Sequence, residues 1–537
     1  MKNALRVIAL MVLAVLIGVP AAAGELKVTG FFENIFPHLS QNLSRLPPVG
    51  DADVTRNRDN LFFGRERFRG FFNFIASDDL RGVFAIELDS AYGAPSRDIV
   101  FSRCITAEQC GFRNAIDINN FELKQLYVDF RIPQLPIGNR VRVGGFPADV
   151  TPLHSHLLYT ADAGGLDVRL NFIPEVSLLL HYIQLEEDVE RFPGSVKIGE
   201  DYLTGGTLML KPTPGLDLHL LGIHGHLQAP FGAILTGIFG PFNGIQGDTG
   251  NVVTEDRYYL GFDSRYRLGN LSIEPTFIYL FGTRKFCAPN SQIAGAVGGA
   301  IGGAAVGAAV NCTSPVTGGV REIDINAFEA QFLLQYTMGA WLFAGKFAYT
   351  SGNEANDDIN NRPIAGVTRP ADVKGFRPLG IDILHRFGEW FEVLGRSEVD
   401  VLGINSPFGA GKQGTLDRFG WVVFGAKAEY KATDKLTLEG AIGAFWTAED
   451  TACPASIRAS ATVCGGPQTS SGTSAFDFSG NSRYAGTEID VGLRYTIMPG
   501  LSWTPRFGWG FLGDAFQTQN RNVQDAWVLI NRILYTF

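Results

Sequence analysis

No two cysteines in the chain are spaced CxxC, and no CxxCH occurs, so the sequence has neither a paired-thiolate metal motif nor an attachment site for a c-type haem. It also lacks a GxSxG nucleophile elbow and a GxxxxGK[ST] phosphate loop, which removes the common serine-hydrolase and P-loop nucleotide-hydrolysing classes. Methionine is scarce, at 5 residues. The formal charge of -9 is acidic, which argues against a nucleic-acid partner and against attraction to an anionic membrane surface. The apolar run Val7–Val19 is shorter than the roughly 20 residues a spanning helix needs.

That run has the layout of a secretory signal peptide. Lys2 and Arg6 precede it, Pro20 and Ala21-Ala22-Ala23 follow, and cleavage is expected before Gly24. Residues 24–537 then form the mature chain, and losing Lys2 and Arg6 leaves it still more acidic. Its composition is uniform from end to end, with 64 Gly, 41 Phe and 15 Tyr and a mean hydropathy of +0.07. No linker divides it, so one large β-architecture is expected rather than a string of domains.

What is abundant is alternation. From Leu61 to Ala76 the even positions carry Phe62, Phe68, Phe72 and Phe74, and the odd ones Arg65, Arg67 and Arg69. Tyr258, Leu260 and Phe262 interleave with Arg257, Asp263, Arg265 and Arg267, and Ile489, Val491 and Leu493 with Glu488, Asp490 and Arg494. Strands that cross a bilayer place apolar side chains outward and polar ones inward in this way. Turn formers fall at Ser77-Asp78-Asp79, Pro133 to Gly138, Pro174-Glu175, Pro212 to Gly215, Leu268-Gly269-Asn270, Met338-Gly339, Thr433-Asp434-Lys435 and Pro499-Gly500. These eight turns, with one strand before the first and one after the last, predict an all-β transmembrane antiparallel barrel of about eighteen strands with long external or inward-folded loops. Long segments at 37–57, 93–117, 227–253, 285–321, 353–414 and 449–481 would supply those loops. The last strand ends in Trp527, Leu529, Ile533, Tyr535 and Phe537 on one face, resembling the terminal signal that the barrel assembly machinery recognises. In Asn119–Arg131 the parity is ambiguous, because Phe121 and Leu123 share one face and Val128 and Phe130 the other.

The stretch Ala348-Tyr349-Thr350-Ser351-Gly352-Asn353, the eighteen-strand count and the lumen arginines resemble the alginate-export type of outer-membrane porin, with Asn353 where that family has Asp. The resemblance implies an outer-membrane channel for small polar solutes, surrounded by lipid and possessing no cofactor.

The residues expected to line such a channel are Arg65, Arg67 and Arg69, about 7 Å apart along one strand face, then Arg140, Arg142, Arg257, Arg265 and Arg267. Fixed positive charge in a pore favours anions. Alternatively, the guanidiniums pair with Glu87, Asp89, Glu122, Glu329, Glu429, Glu488 and Asp490 and stiffen the wall with little net field. Three loop disulfides are expected, Cys104–Cys110, Cys287–Cys312 and Cys453–Cys464.

Gly295, Gly299, Gly303 and Gly307 form either the stripe of a loop helix, which could pack on a second subunit of a homo-oligomer, or part of a flexible loop. The segment 353–414 either narrows the lumen, through residues such as Asp357, Arg369, Lys374 and Arg377, or caps the barrel outside. The pairs His154/His156 and His224/His226 have no third metal ligand at fixed spacing. A structural sleeve around a periplasmic electron carrier and a lipid-acting barrel enzyme are the other functions such a barrel could have.

Overall fold

The computed structural model describes residues 24–41, 60–92, 120–154, 157–186, 201–228, 252–289, 317–354, 357–358, 369–379, 390–395, 419–451, 482–516 and 525–537. The expected signal peptide, the glycine stripe, Cys104, Cys110, Cys312, Cys453, Cys464 and most of the long loops lie outside them. So does the side chain of Cys287.

The strands run in chain order around one sheet. The first nine are β1 (Glu25–Gln41), β2 (Asn60–Ser77), β3 (Leu80–Tyr92), β4 (Asn120–Phe130), β5 (Gly138–Asp149), β6 (Thr160–Ile173), β7 (Val176–Glu186), β8 (Asp201–Thr213) and β9 (Leu216–Gln228). Then come β10 (Val252–Leu268), β11 (Leu271–Pro289), β12 (Thr317–Met338) and β13 (Trp341–Thr350). The circuit finishes with β16 (Trp421–Lys431), β17 (Leu436–Thr447), β18 (Tyr484–Met498), β19 (Leu501–Leu512) and β20 (Ala526–Thr536). Two short strands, β14 (Asp357–Asp358) and β15 (Arg369–Pro370), pair with each other in parallel outside this sheet. Each strand of the 18-stranded sheet is antiparallel to its neighbour, and β1 pairs with both β2 and β20, which closes the barrel. All eight expected turns join consecutive strands at one end of the barrel, the end that also holds the tips of β1 and β20.

Closure removes the unpaired edges that hydrocarbon would not tolerate. The alternation then decides which face is which. Phe32, Phe62, Leu126, Leu260, Ile442 and Val491 are all at least half exposed and point outward, while the charged residues of the opposite parity point in. A one-residue slip of β2 would turn Arg65, Arg67 and Arg69 into lipid, at about 2–4 kcal/mol each near the bilayer midplane. The ambiguous parity of β4 resolves as a bulge at Lys124. The register with β3 steps from Ala85↔Gln125 to Ile86↔Leu123, so Leu123 and Leu126 both face outward. Among the described residues, no helix is long and apolar enough to cross a membrane.

Candidate functional site: the lumen of the barrel

The arginines expected inside do lie on the inner face, and most are paired. Arg69 donates from Nε to Glu87 Oε2 at 2.6 Å, and Arg67 lies 3.4 Å from the same oxygen, which lies across the strand pair on β3. Lys124 reaches Glu87 at 3.0 Å and Glu122 at 3.1 Å. Arg140 and Arg81 each lie 2.5 Å from Asp129, Arg142 pairs with Asp167, and Arg532 donates to Glu33 at 2.6 Å. Arg65 is buried in the same wall.

These pairs are lopsided. Arg140 is 30% exposed and Asp129 is 1% exposed, and the same order holds for Arg69 over Glu87, Arg142 over Asp167 and Arg532 over Glu33. In these four pairs, on β20 and β1–β6, the carboxylate lies at the base of the wall and the guanidinium on top, whereas Arg65 is itself buried. A short base can sit under a long, planar guanidinium that keeps its outer N–H groups in water. The bonded groups named here include more cations than carboxylates, and within those four pairs the more exposed member is the cation.

The other expected arginines do different work. Arg257 faces inward but is fully buried, donating to Glu255 at 2.7 Å and to the Pro378 carbonyl at 3.2 Å. Arg284 donates to the other Glu255 oxygen at 3.0 Å. Arg257 is thus covered by the 369–379 segment and serves as its anchor. Arg265 pairs with Glu274 at 2.9 Å, and Arg267 with Asp217 at 3.1 Å near the turns. Glu488 and Asp490, expected as arginine partners, instead accept backbone N–H groups of an inward segment.

Among the described residues, three segments fold into the lumen. The first, 150–159, carries Val150, Leu157 and Leu158 into an apolar cluster with Ile183, Leu203, Leu221 and Tyr259 on the wall. His154 fixes it: Nδ1 lies 2.5 Å from Asp263 Oδ1, and Nε2 meets Glu274 Oε2. The second, 369–379, seats Val373, Phe376 and Leu379 in the same cluster. Asn353 folds this return, with Oδ1 accepting from the Lys374 and Gly375 amides at 2.8 and 3.0 Å and Nδ2 donating to the Asp372 carbonyl at 2.8 Å. Gly352 lies so close to Phe419 that a Cβ would sit 2.0 Å from its carbonyl carbon. The Ser-Gly-Asn stretch is therefore a loop-folding device. The first two segments also meet each other, because the Leu379 amide donates to the Leu158 carbonyl at 3.1 Å.

The third, 390–395, lies against β16–β19. The Val393 and Leu394 amides donate to the two oxygens of Glu488 at 2.6 and 2.5 Å, and the Glu392 amide donates to Asp490 at 3.2 Å. Phe391 packs over Gly443, where an added Cβ would lie 2.4 Å from the ring. Arg506 links the segment to the wall, 3.2 Å from Glu392 and 2.7 Å from Glu439. The cavity left between Trp390, Glu392, Glu439 and Arg506 is about 20 Å³, room for one water.

His154 makes the first segment pH-sensitive. Burial alone would lower the imidazole's pKa, but its bonds to Asp263 and Glu274 outweigh that and raise it from 6.5 to about 9. A folded-state pKa raised above the unfolded value adds stability that is complete below about 6.5 and is lost as pH rises through about 9, on the order of 3 kcal/mol in all. Current noise through the barrel should therefore grow between pH 7 and pH 10. A His154→Gln barrel should be noisy already at pH 7 and change little with pH; a variant as quiet as the parent would exclude His154 as the latch.

The periodicity of the sequence marks the wall but not the buried bases under the arginines, since Glu87, Asp129 and Asp167 have the same inward parity as their partners. Nor does it mark the carboxylates that bind the segments, whose partners are amides of loops with no strand pattern. Asn353 was singled out by position in a motif, and His154 by its neighbour His156, which lies outside the described residues.

No protein-family model matches the chain, and no curated protein matches it. Among solved structures it is similar to Pseudomonas aeruginosa OccK8 (OprE), with 11% sequence identity, a TM-score of 0.48, and coverage of 96% of this chain and 98% of that one. Pseudomonas aeruginosa OccK1 (OpdK) follows with 10% identity, a TM-score of 0.47, and 96% and 98% coverage. Acinetobacter baumannii OccAB1 has 9% identity, a TM-score of 0.47, and 95% and 97% coverage. At these values the likenesses assign no function.

Proposed function

We propose that the chain is an outer-membrane porin through which small polar solutes diffuse, with a preference for anions, and that the segment 1–23 directs its export. One observation carries the reading: an apolar, aromatic outer wall encloses a charged inner wall, along which partly exposed guanidiniums overlie buried carboxylates. Eighteen strands are enough for an aqueous channel, and the three inward segments narrow it from the β6–β13 and β16–β19 sides. The path then runs along the basic wall of β20 and β1–β6.

The size of the effect follows from Coulomb's law. A unit charge about 8 Å from the path changes an ion's energy by about 0.5 kcal/mol at the dielectric of water, roughly twofold in occupancy. Several such charges acting together give a clear but not absolute preference. The Ala348–Asn353 stretch that resembles alginate exporters shapes a loop, so the reading commits to small solutes and to no uronate polymer.

Liposome swelling tests this. Vesicles holding the mature barrel should swell faster in isotonic gluconate than in an isotonic organic cation of similar size. Equal rates would remove the anion preference, and no swelling in either would remove the channel.

A further inference from the structure

We propose that the outer face of the barrel carries a transition-metal site formed by His224, His226 and Asp256. The sequence offers the two histidines at alternate positions of β9, which share a face, and no third ligand at fixed spacing. The strand pairing supplies it. Asp256 on β10 lies directly opposite His226, and His224 lies opposite Tyr258, one diagonal step away. His226 Nδ1 is 2.7 Å from Asp256 Oδ1, and His224 Nε2 is 3.1 Å from the same oxygen. One donor atom from each of the three lies within 4.8 Å of the others.

The cluster has outward parity, the same as Tyr258 and Leu260. Two imidazoles and a carboxylate are expensive in hydrocarbon, so their height matters. Asp256 stands twelve residues from Leu268 at the turn end of β10, about 40 Å along the strand and about 30 Å along the normal for a 40° tilt. The apolar band of such barrels is about 25 Å tall, which puts the cluster just above it. The neighbouring rings agree with that level. Tyr202 stacks on His226 at 5.4 Å, Tyr258 on His224 at 4.5 Å, and Tyr182 on Tyr202 at 6.1 Å, and a tyrosine girdle marks the interface with water.

The donor set suits an ion such as Zn²⁺ or Cu²⁺. Two imidazole nitrogens and one carboxylate oxygen at 2.0–2.2 Å from a tetrahedral ion would be about 3.3 Å apart, so the present N–O separations need to open by only a few tenths of an ångström. All three groups are a fifth to a quarter exposed, which leaves water able to complete the shell. A bound ion would tie β9 to β10 at the rim. The site lies on the opposite side of the wall from the solute path and stands whether or not the barrel conducts.

The test uses the full barrel in detergent, stripped with a chelator and titrated with Zn²⁺ against a chromophoric competitor. One ion per chain should bind, and His224→Ala, His226→Ala and Asp256→Asn should each weaken it at least about tenfold. His219→Gln, on the inner face of the same strand, should leave it unchanged. Copper loaded into the unsubstituted protein should show EPR coupling to two nitrogens, a readout that does not depend on any variant folding. Absence of Zn²⁺ binding, binding indifferent to Asp256→Asn and His226→Ala, or a copper spectrum without nitrogen coupling would each overturn the site.

Discussion

Glu255→Gln is expected to lower the unfolding midpoint of the barrel more than any other single change on the inner wall. Glu255 is 1% exposed and lies between Arg257 and Arg284, both fully buried, at 2.7 and 3.0 Å. The amide keeps the shape but removes the charge, leaving two buried guanidiniums without the carboxylate between them. Breaking a buried pair in this way costs about 3–5 kcal/mol, and here one carboxylate serves two cations. The loss should be read from urea unfolding followed by heat-modifiable gel mobility. Replacing all three charged residues by Met should recover most of the stability, because a dry apolar cluster carries no desolvation cost. It should not restore the 369–379 segment, whose Pro378 carbonyl still lacks its donor from Arg257. A stable Glu255→Gln barrel would mean that water reaches this cluster.

Glu488→Ala should release the 390–395 segment and raise conductance. The variant removes the acceptor of both the Val393 and Leu394 amides, and each buried amide left unmade costs about 1–3 kcal/mol. The same substitution relieves repulsion among Glu488, Asp490 and Glu392, which works in the opposite direction. Gly443→Val separates the two effects. It leaves every charge in place and drives a side chain into the position Phe391 occupies. Both variants should raise unitary conductance and expose the segment to added protease. If neither does, the segment is held by contacts other than these.

Much of the barrel was legible because a membrane wall imposes period-two alternation and its short turns require Gly, Pro, Asn or Asp. The turn formers expected at Ser77-Asp78-Asp79, Leu268-Gly269-Asn270, Thr433-Asp434-Lys435 and Pro499-Gly500 fall at the junctions between β2 and β3, β10 and β11, β16 and β17, and β18 and β19. The bulge at Lys124 appeared in the sequence as a change of parity without its cause, since a strand pattern shows that the face switches and not how the partner absorbs the extra residue. The site was legible in part. Inward parity identified Arg67, Arg69, Arg140 and Arg142, yet parity is blind to depth, and depth separates these arginines from Arg257. Asp256 was invisible as a partner of His224 and His226 because it stands 30 residues from His226 in the sequence and only the pairing of β9 with β10 brings them together.

Single-channel recording across a planar bilayer, with reversal potentials taken under a KCl gradient at low salt, tests the central claim most directly. Low salt matters because the Debye length is about 30 Å at 0.01 M and about 8 Å at 0.15 M. Stepwise currents with a chloride-selective reversal are expected, shifted toward cations in Arg140→Gln/Arg142→Gln, where Asp167 loses Arg142 and Asp129 keeps Arg81 alone of its two arginines. A cation-selective reversal in the unsubstituted barrel, or no conductance at all, would contradict the account.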